Sequence, residues 1–221
     1  MYRNTFLSVM FLACCFNGSL CAQSDAQIYE RTCDAKTYPF SDPSPVATPN
    51  NSYYPYFRFD GFSMQAQEKQ WKMVVLENDY VKLTVTPEIG GKIWGAIDKV
   101  NNKEFVYTNG VVKFRDVAMR GPWTSGGIEF NFGIIGHAPT CSTPIDYLTK
   151  KNVDGSVSCH IFSYEWITRT VWNVEINLPK DKAYFTTHTT WFNQSSIDQP
   201  YYQWMNAGYA TKTGTRFYYP G

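Results

Sequence analysis

Residues 71–107 read WKMVVLENDYVKLTVTPEIGGKIWGAIDKVNNKEFVY, and they decide the kind of fold. Two runs of Val, Leu, Thr and aromatic residues flank the turn signal Asn78-Asp79. Gly90-Gly91 marks a second turn and Asn101-Asn102 a third. β-Branched and aromatic side chains pack well on a pleated surface, whereas Gly, Asn and Asp supply the backbone conformations that turns require. Working outward, the same grammar continues in VVKFRDVAM (111–119), GIEFNFGI (127–134), SVSCHIFSYEWI (156–167), TRTVWNVEINL (168–178), AYFTTHTTWFN (183–193) and QPYYQWMNAGYAT (199–211). Most of these are of strand length, and none carries a sustained helical stripe between caps. The pattern predicts an all-β sandwich of many antiparallel strands, with no fixed-length repeat of the propeller or solenoid type.

The composition agrees. A chain of 221 residues makes one large or two small domains. Only 18% of residues are charged, while 16 Tyr, 15 Phe and 7 Trp give an aromatic excess that suits strands and also suits stacking against sugar rings. A formal net charge of +1 without a basic run argues against nucleic acid, which is held largely by phosphate neutralisation. No cationic amphipathic helix suggests a membrane surface.

Residues 1–22 read as a secretory signal. Arg3 gives the charged start, FLSVMFLACCF (6–16) the apolar core, and Ala22 the small residue before cleavage at Gln23. The apolar run is too short to span a bilayer, so no transmembrane segment is expected and the periplasm or the exterior is. FLAC and SLC resemble a lipoprotein box imperfectly, which makes Cys14 or Cys21 a secondary candidate for lipid anchoring. Residues 23–67, including YPFSDPSPVATPNNSYYPYFRF (38–59), form a Pro/Ser/Asn-rich leader that reads as extended linker or edge structure. Residues 68–221 form the β-sandwich domain. Because TGTRFYYPG (213–221) is a strand running into a turn, the fold is expected to continue beyond Gly221. Past the signal remain Cys33, Cys141 and Cys159, an odd number that allows at most one bridge, such as Cys141–Cys159. Their spacing matches no zinc site, and buried or incidental cysteines fit best.

The stretch richest in candidate chemistry is RGPWTSGGIEFNFGIIGHAPT, residues 120–140. Strand alternation puts Ile128, Phe130 and Phe132 on one side and Glu129 with Asn131 on the other. A carboxylate beside an amide matches the hydroxyls of a sugar, although a solvated strand face is the commoner fate of such a pair. His137 follows on a loop that a rigid strand would position, and its side chain changes protonation most readily near neutral pH. Arg120 offers a planar fork and Trp123 a ring for stacking. Asp146 and Tyr147 in TPIDY, and His188 with Thr186 and Thr190 opposite Trp191's side, are further candidates for the same mouth. Trp94, Trp166 and Trp172 fall in strand runs and read as core, and His160 as structural. No serine elbow, P-loop or dinucleotide fingerprint is present. No cofactor is expected, with calcium on carbonyls and scattered Asp left open.

The stretch LENDYVKLTVTPEIGGKIWGAIDKVNNKEFVY (76–107) resembles the opening of galactose mutarotase-like domains, and TTHTTWFNQSSIDQPYYQWMNAGY (186–209) resembles one of their later strand pairs. Together with GGIEFNFGIIGHAPT (126–140) they are similar to a secreted bacterial family catalogued as domain of unknown function 5107, whose members often continue into tetratricopeptide repeats. The resemblance covers residues 68–221. It implies an antiparallel β-supersandwich whose concave face holds a carbohydrate, either an oligo- or a polysaccharide. In the superfamily's aldose epimerases a histidine is the general acid and a late glutamate the base, and this chain stops before such a glutamate. The implied function is a secreted carbohydrate-active domain, a glycoside hydrolase or a sugar epimerase. Glu129 and His137 would handle protons, Arg120 and Asn206 would orient the sugar, and Trp123, Asn131, Asp146, Tyr147 and His188 would contact it. A non-catalytic glycan-binding module or a scaffold module of a repeat protein is the alternative.

Overall fold

A computed structural model describes residues 24–40, 62–116, 122–133, 137–165, 168–211 and 213–220. The strands, in chain order, are β1 (Gln27–Tyr38), β2 (Gln67–Glu77), β3 (Val81–Thr86), β4 (Lys92–Asp98), β5 (Lys103–Val106), β6 (Val112–Lys113), β7 (Arg115–Asp116), β8 (Pro122–Trp123), β9 (Ile128–Phe132), β10 (Asp146–Lys151), β11 (Val157–Glu165), β12 (Thr170–Leu178), β13 (Thr186–Asn193) and β14 (Gln203–Ala207). The only helical turns among the described residues are short 3-10 turns at Pro87–Ile89 and Pro139–Ser142. The chain is an all-β sandwich. One sheet runs β14-β9-β4-β3-β2-β1-β6 with β5 added to β4, the second runs β10-β11-β12-β13, and β7 pairs with β8 apart from both. Every pairing is antiparallel except β1 with β6.

Alternation explains how the sheets meet. Val74 and Leu76 of β2, Val81, Leu83 and Val85 of β3, Ile93 and Ala96 of β4, and Ile128, Phe130 and Phe132 of β9 turn one face of the large sheet inward. They pack on Val157, Cys159 and Ile161 of β11 and on Trp172, Val174, Ile176 and Leu178 of β12. Burial of such side chains is worth roughly 1.5–3 kcal/mol each, so this layer is the main source of cohesion. A smaller apolar cluster of Trp71, Met73, Ile89, Trp94, Val112 and Phe114 lies apart from it. Trp71 and Met73 alternate with the inward residues of β2, so this cluster covers part of the large sheet's outward face.

The turns are where the sequence placed them. Asn78 closes the β2–β3 corner through its side-chain oxygen, which accepts from the backbone N–H of Tyr80 and Val81. Gly90 and Gly91 have φ of +66° and +68°, a region that glycine enters at no steric cost.

One expectation changes. The segment assigned as leader contributes a full strand, β1, paired along β2 from Gln27↔Glu77 to Thr37↔Gln67. Its sequence, QIYERTCDAKTY, is mostly polar because β1 lies near the sheet's edge and is largely exposed. Cys33, Cys141 and Cys159 are all free, and the latter two are buried, in keeping with the reading of buried or incidental cysteines. Trp172 and Trp94 are both core as expected, Trp172 between the two sheets and Trp94 in the smaller outward cluster. The signal segment and Trp166 lie outside the described residues.

Candidate functional site

Strand β9 lies between β4 and β14, and its two faces are divided cleanly. Ile128, Phe130 and Phe132 enter the core, and Glu129 and Asn131 turn to the large sheet's outward face. Both polar residues are buried, at 2% and 0% exposure, which rules out the solvated-strand reading. Their hydrogen bonds form one network. Asn131 donates through Nδ2 to Glu129 Oε1 (2.8 Å) and accepts the Ala138 backbone N–H on Oδ1 (2.7 Å). His137 Nδ1 lies 2.6 Å from the same Glu129 oxygen. A carboxylate only accepts, so His137 donates through Nδ1–H and its Nε2 is turned to the far side of the ring. The loop after β9 is thus tied to the strand at two points, and the His137 ring is held in one orientation.

Aromatic rings enclose that histidine. Trp204 of β14 meets it edge-on at 4.9 Å between centroids, and Trp123 of β8 at 6.2 Å. In the β9–β14 ladder Trp204 stands opposite Asn131 and Asn206 opposite Glu129, so both share the outward face with the network. His137 retains 14% side-chain exposure against 3% for Glu129. The histidine is therefore the member of the couple that solvent can reach, and the glutamate stands behind it.

Lys92 was missed by the sequence reading, which counts lysine as a surface residue. It is 1% exposed, and its ammonium donates to the backbone oxygen and the hydroxyl (2.9 Å) of Thr124 while lying over the Trp123 ring at 5.9 Å. Burial holds its pKa below the ordinary range, opposed by the charge of Glu129 and by Cys141. Gly127 makes this approach possible, because a Cβ there would collide with the Ile93 carbonyl oxygen and the Lys92 stem. The signal in the sequence was GGKIWG, in which Lys92 alternates with the core residue Ile93.

Two buried polar atoms of this cluster, Glu129 Oε2 and Trp204 Nε1, make no hydrogen bond. Buried polar atoms nearly always find a partner in the protein or in ordered water, so each exception calls for an explanation. The Lys92 charge offsets part of the cost for Glu129.

Of the expected site residues, Glu129, Asn131, His137, Trp123 and Asn206 come together. Asp146 and Tyr147 do not join them. Asp146 opens β10 and is exposed, and the Tyr147 hydroxyl donates to Glu30 on β1 (2.7 Å) while its ring packs on the core. His188 lies on β13 opposite Glu175, exposed on the outer face of the small sheet, with the core between it and β9. Nearness in the chain or a favourable strand face did not reveal to which sheet these residues belong. Arg120 lies outside the described residues. Among the described residues no group of three or more His, Cys, Asp or Glu is arranged to hold a metal ion.

Residues 48–221 match the model of a family described as Domain of unknown function (DUF5107). This chain belongs to that family. It is also similar to the crystal structure of a TPR-domain containing protein from Parabacteroides distasonis, at 26% identity and a TM-score of 0.75 over 84% of this chain. The chain spans about a third of that protein's length (32%). No helix among the described residues is long and apolar enough to cross a membrane.

Proposed function

We propose that this chain is a secreted carbohydrate-active domain that holds a sugar against the outward face of its large sheet. The observation that carries the reading is the Glu129–His137 couple: a buried carboxylate fixes one nitrogen of a solvent-reachable imidazole between two indole rings. Such a carboxylate–imidazole pair fixes the orientation and tautomer of the ring, the arrangement by which a histidine exchanges a proton with a hydroxyl. Trp123 supplies an apolar face for a pyranose ring, and Asn206 supplies a donor and an acceptor beside it. The division of labour differs from two equal proton carriers: His137 meets the sugar and Glu129 positions it.

Hydrolysis of a glycosidic bond usually takes two carboxyl groups facing the scissile bond. Glu129 is withdrawn behind His137, which favours proton exchange at one hydroxyl, as in anomer interconversion, over cleavage. A second reading, glycan binding without turnover, is favoured by the same burial of Glu129. A glycan array followed by reducing-sugar release and NMR of anomer exchange separates the three. Retention of a glycan with neither activity supports binding alone, and absence of any retained glycan refutes the carbohydrate reading. The signal-like segment supports export; N-terminal sequencing should return Gln23, and an intact Met1 in the cytoplasm would contradict it.

A further inference from the structure

A cleft of about 470 Å³ opens on the same outward face, across β1, β3, β4 and β5. The residues that matter are few. Met73, Trp94 and Val112 line it with apolar surface, Arg31 and Glu104 bring opposite charges, and Thr84 and Asn109 add neutral polar groups. Its size falls in the range of small-molecule sites, about 300–1,000 Å³.

The cleft and the His137 site share a wall. Asn109 lines the cleft, and its side chain donates to Ser125 Oγ (2.9 Å), next to the Thr124 that anchors Lys92. The same segment is fixed by Tyr107 N–H to the Gly208 carbonyl (2.9 Å) and by Gly127 N–H to the Tyr107 carbonyl (2.8 Å), which joins it to β9 and β14. On β4, Lys92 belongs to the His137 site and Trp94, two residues on, to the cleft.

We infer that the cleft is a second subsite, which takes the further units of a neutral oligosaccharide whose first unit sits at His137; this rests on the carbohydrate reading of that site. The chemistry selects neutral sugars. Lys82, also on the lining, faces Glu77 at 3.7 Å, a carboxylate that also holds Lys99 at 2.7 Å, so its charge is answered in part within the protein. Asp34 borders the cleft too, but it alternates with Cys33 and Ala35 and its carboxylate accepts from Gln70 (3.2 Å) on the other face, so Arg31 and Glu104 bring one cation and one anion to the rim. A guanidinium donates in pairs and a carboxylate accepts in pairs, and both suit neighbouring hydroxyls. A uniformly charged ligand would meet one of the two unfavourably. The apolar lining suits the CH faces of pyranose rings.

Gly110 provides the test. It lines the cleft, and a Cβ built on it meets nothing within 4 Å, so Gly110→Phe fills the mouth without disturbing the core. Arg31→Ala is the second variant, exposed and outside the His137 network. The probes are neutral gluco-, galacto-, manno- and xylo-oligosaccharides of one to five units, titrated by calorimetry against the folded full chain. The wild type should bind chains of three or more units at least about tenfold more tightly than the monosaccharide, the worth of one or two added net hydrogen bonds with ring stacking. Gly110→Phe and Arg31→Ala should erase that gain and leave monosaccharide binding in place, while His137→Ala weakens every length. A chain-length gain that survives in both cleft variants overturns the subsite, as does a wild type that binds monosaccharide with no gain. Absence of binding at any length overturns the carbohydrate reading itself, and this inference with it.

Discussion

Phe132 of β9 lies stacked on Trp172 of β12, with ring centroids 4.5 Å apart and planes 10° from parallel. The two rings couple the sheets directly behind Asn131, because Phe132 is the next residue along the same strand. The strand that carries the candidate site is thereby anchored from its other face. Trp172→Ala is expected to cost about 3–5 kcal/mol, the usual range for emptying a buried indole site. Chemical denaturation checks this, and a loss below about 1 kcal/mol would show that the stack contributes little beyond its own area.

The Glu129–His137 couple predicts unequal variants. His137→Ala should lower any sugar-dependent turnover by roughly 100- to 10,000-fold and also cost some stability, because the buried Glu129 carboxylate loses a donor. Glu129→Ala should also destabilise the protein by about 1–3 kcal/mol, since the buried amide of Asn131 loses its acceptor. Glu129→Gln should recover most of that stability without the turnover. Equal stability of all three variants would indicate that the network holds nothing together.

Lys92 gives a pH signature. Burial, the largest cause, lowers its folded pKa below the ordinary 10.5. A charged Lys92 therefore costs the folded state stability at and below its lowered pKa, and the cost disappears as pH rises from there towards 10.5. The stability difference, wild type minus Lys92→Met, should rise across that alkaline window. Urea melts of both proteins measure it, and a difference independent of pH would contradict a buried ammonium.

Cys159 behaves in the opposite sense. Burial pushes its thiol from 9.0 up to about 12, so it favours folding at neutral pH, and this contribution is lost as pH climbs from 9.0 towards 12. Thiol labelling at pH 8 should modify half-buried Cys33 well before Cys159, with Cys159 reacting fully only after unfolding. Equal rates in the native protein would contradict the burial.

Much of the sheet was legible because alternation is a local property. The inward set of β9, the Asn78 corner and the Gly90-Gly91 turn all follow from neighbouring residues. β1 was obscured because an exposed strand near an edge has little apolar pattern to show, and Pro39 and the prolines after it set a linker-like composition. Within the site, Glu129, Asn131 and His137 were visible on one strand and its loop. Lys92 was not, because its burial depends on Thr124 and Gly127 of a distant segment. Asp146, Tyr147 and His188 were drawn in because a single strand reveals its two faces but not the sheet it joins.

The place of β9 between β4 and β14 also sets an order in time. During synthesis β4 emerges well before β9, whereas the strand that supplies Trp204 and Asn206 follows only after all four strands of the small sheet. The hairpins of β10 to β13 can close from near neighbours, but the β9–β14 ladder must bridge a long loop and is entropically slow to close. His137 thus acquires its second indole wall late, and until then the nascent domain has a nearly built sandwich and an unfinished site.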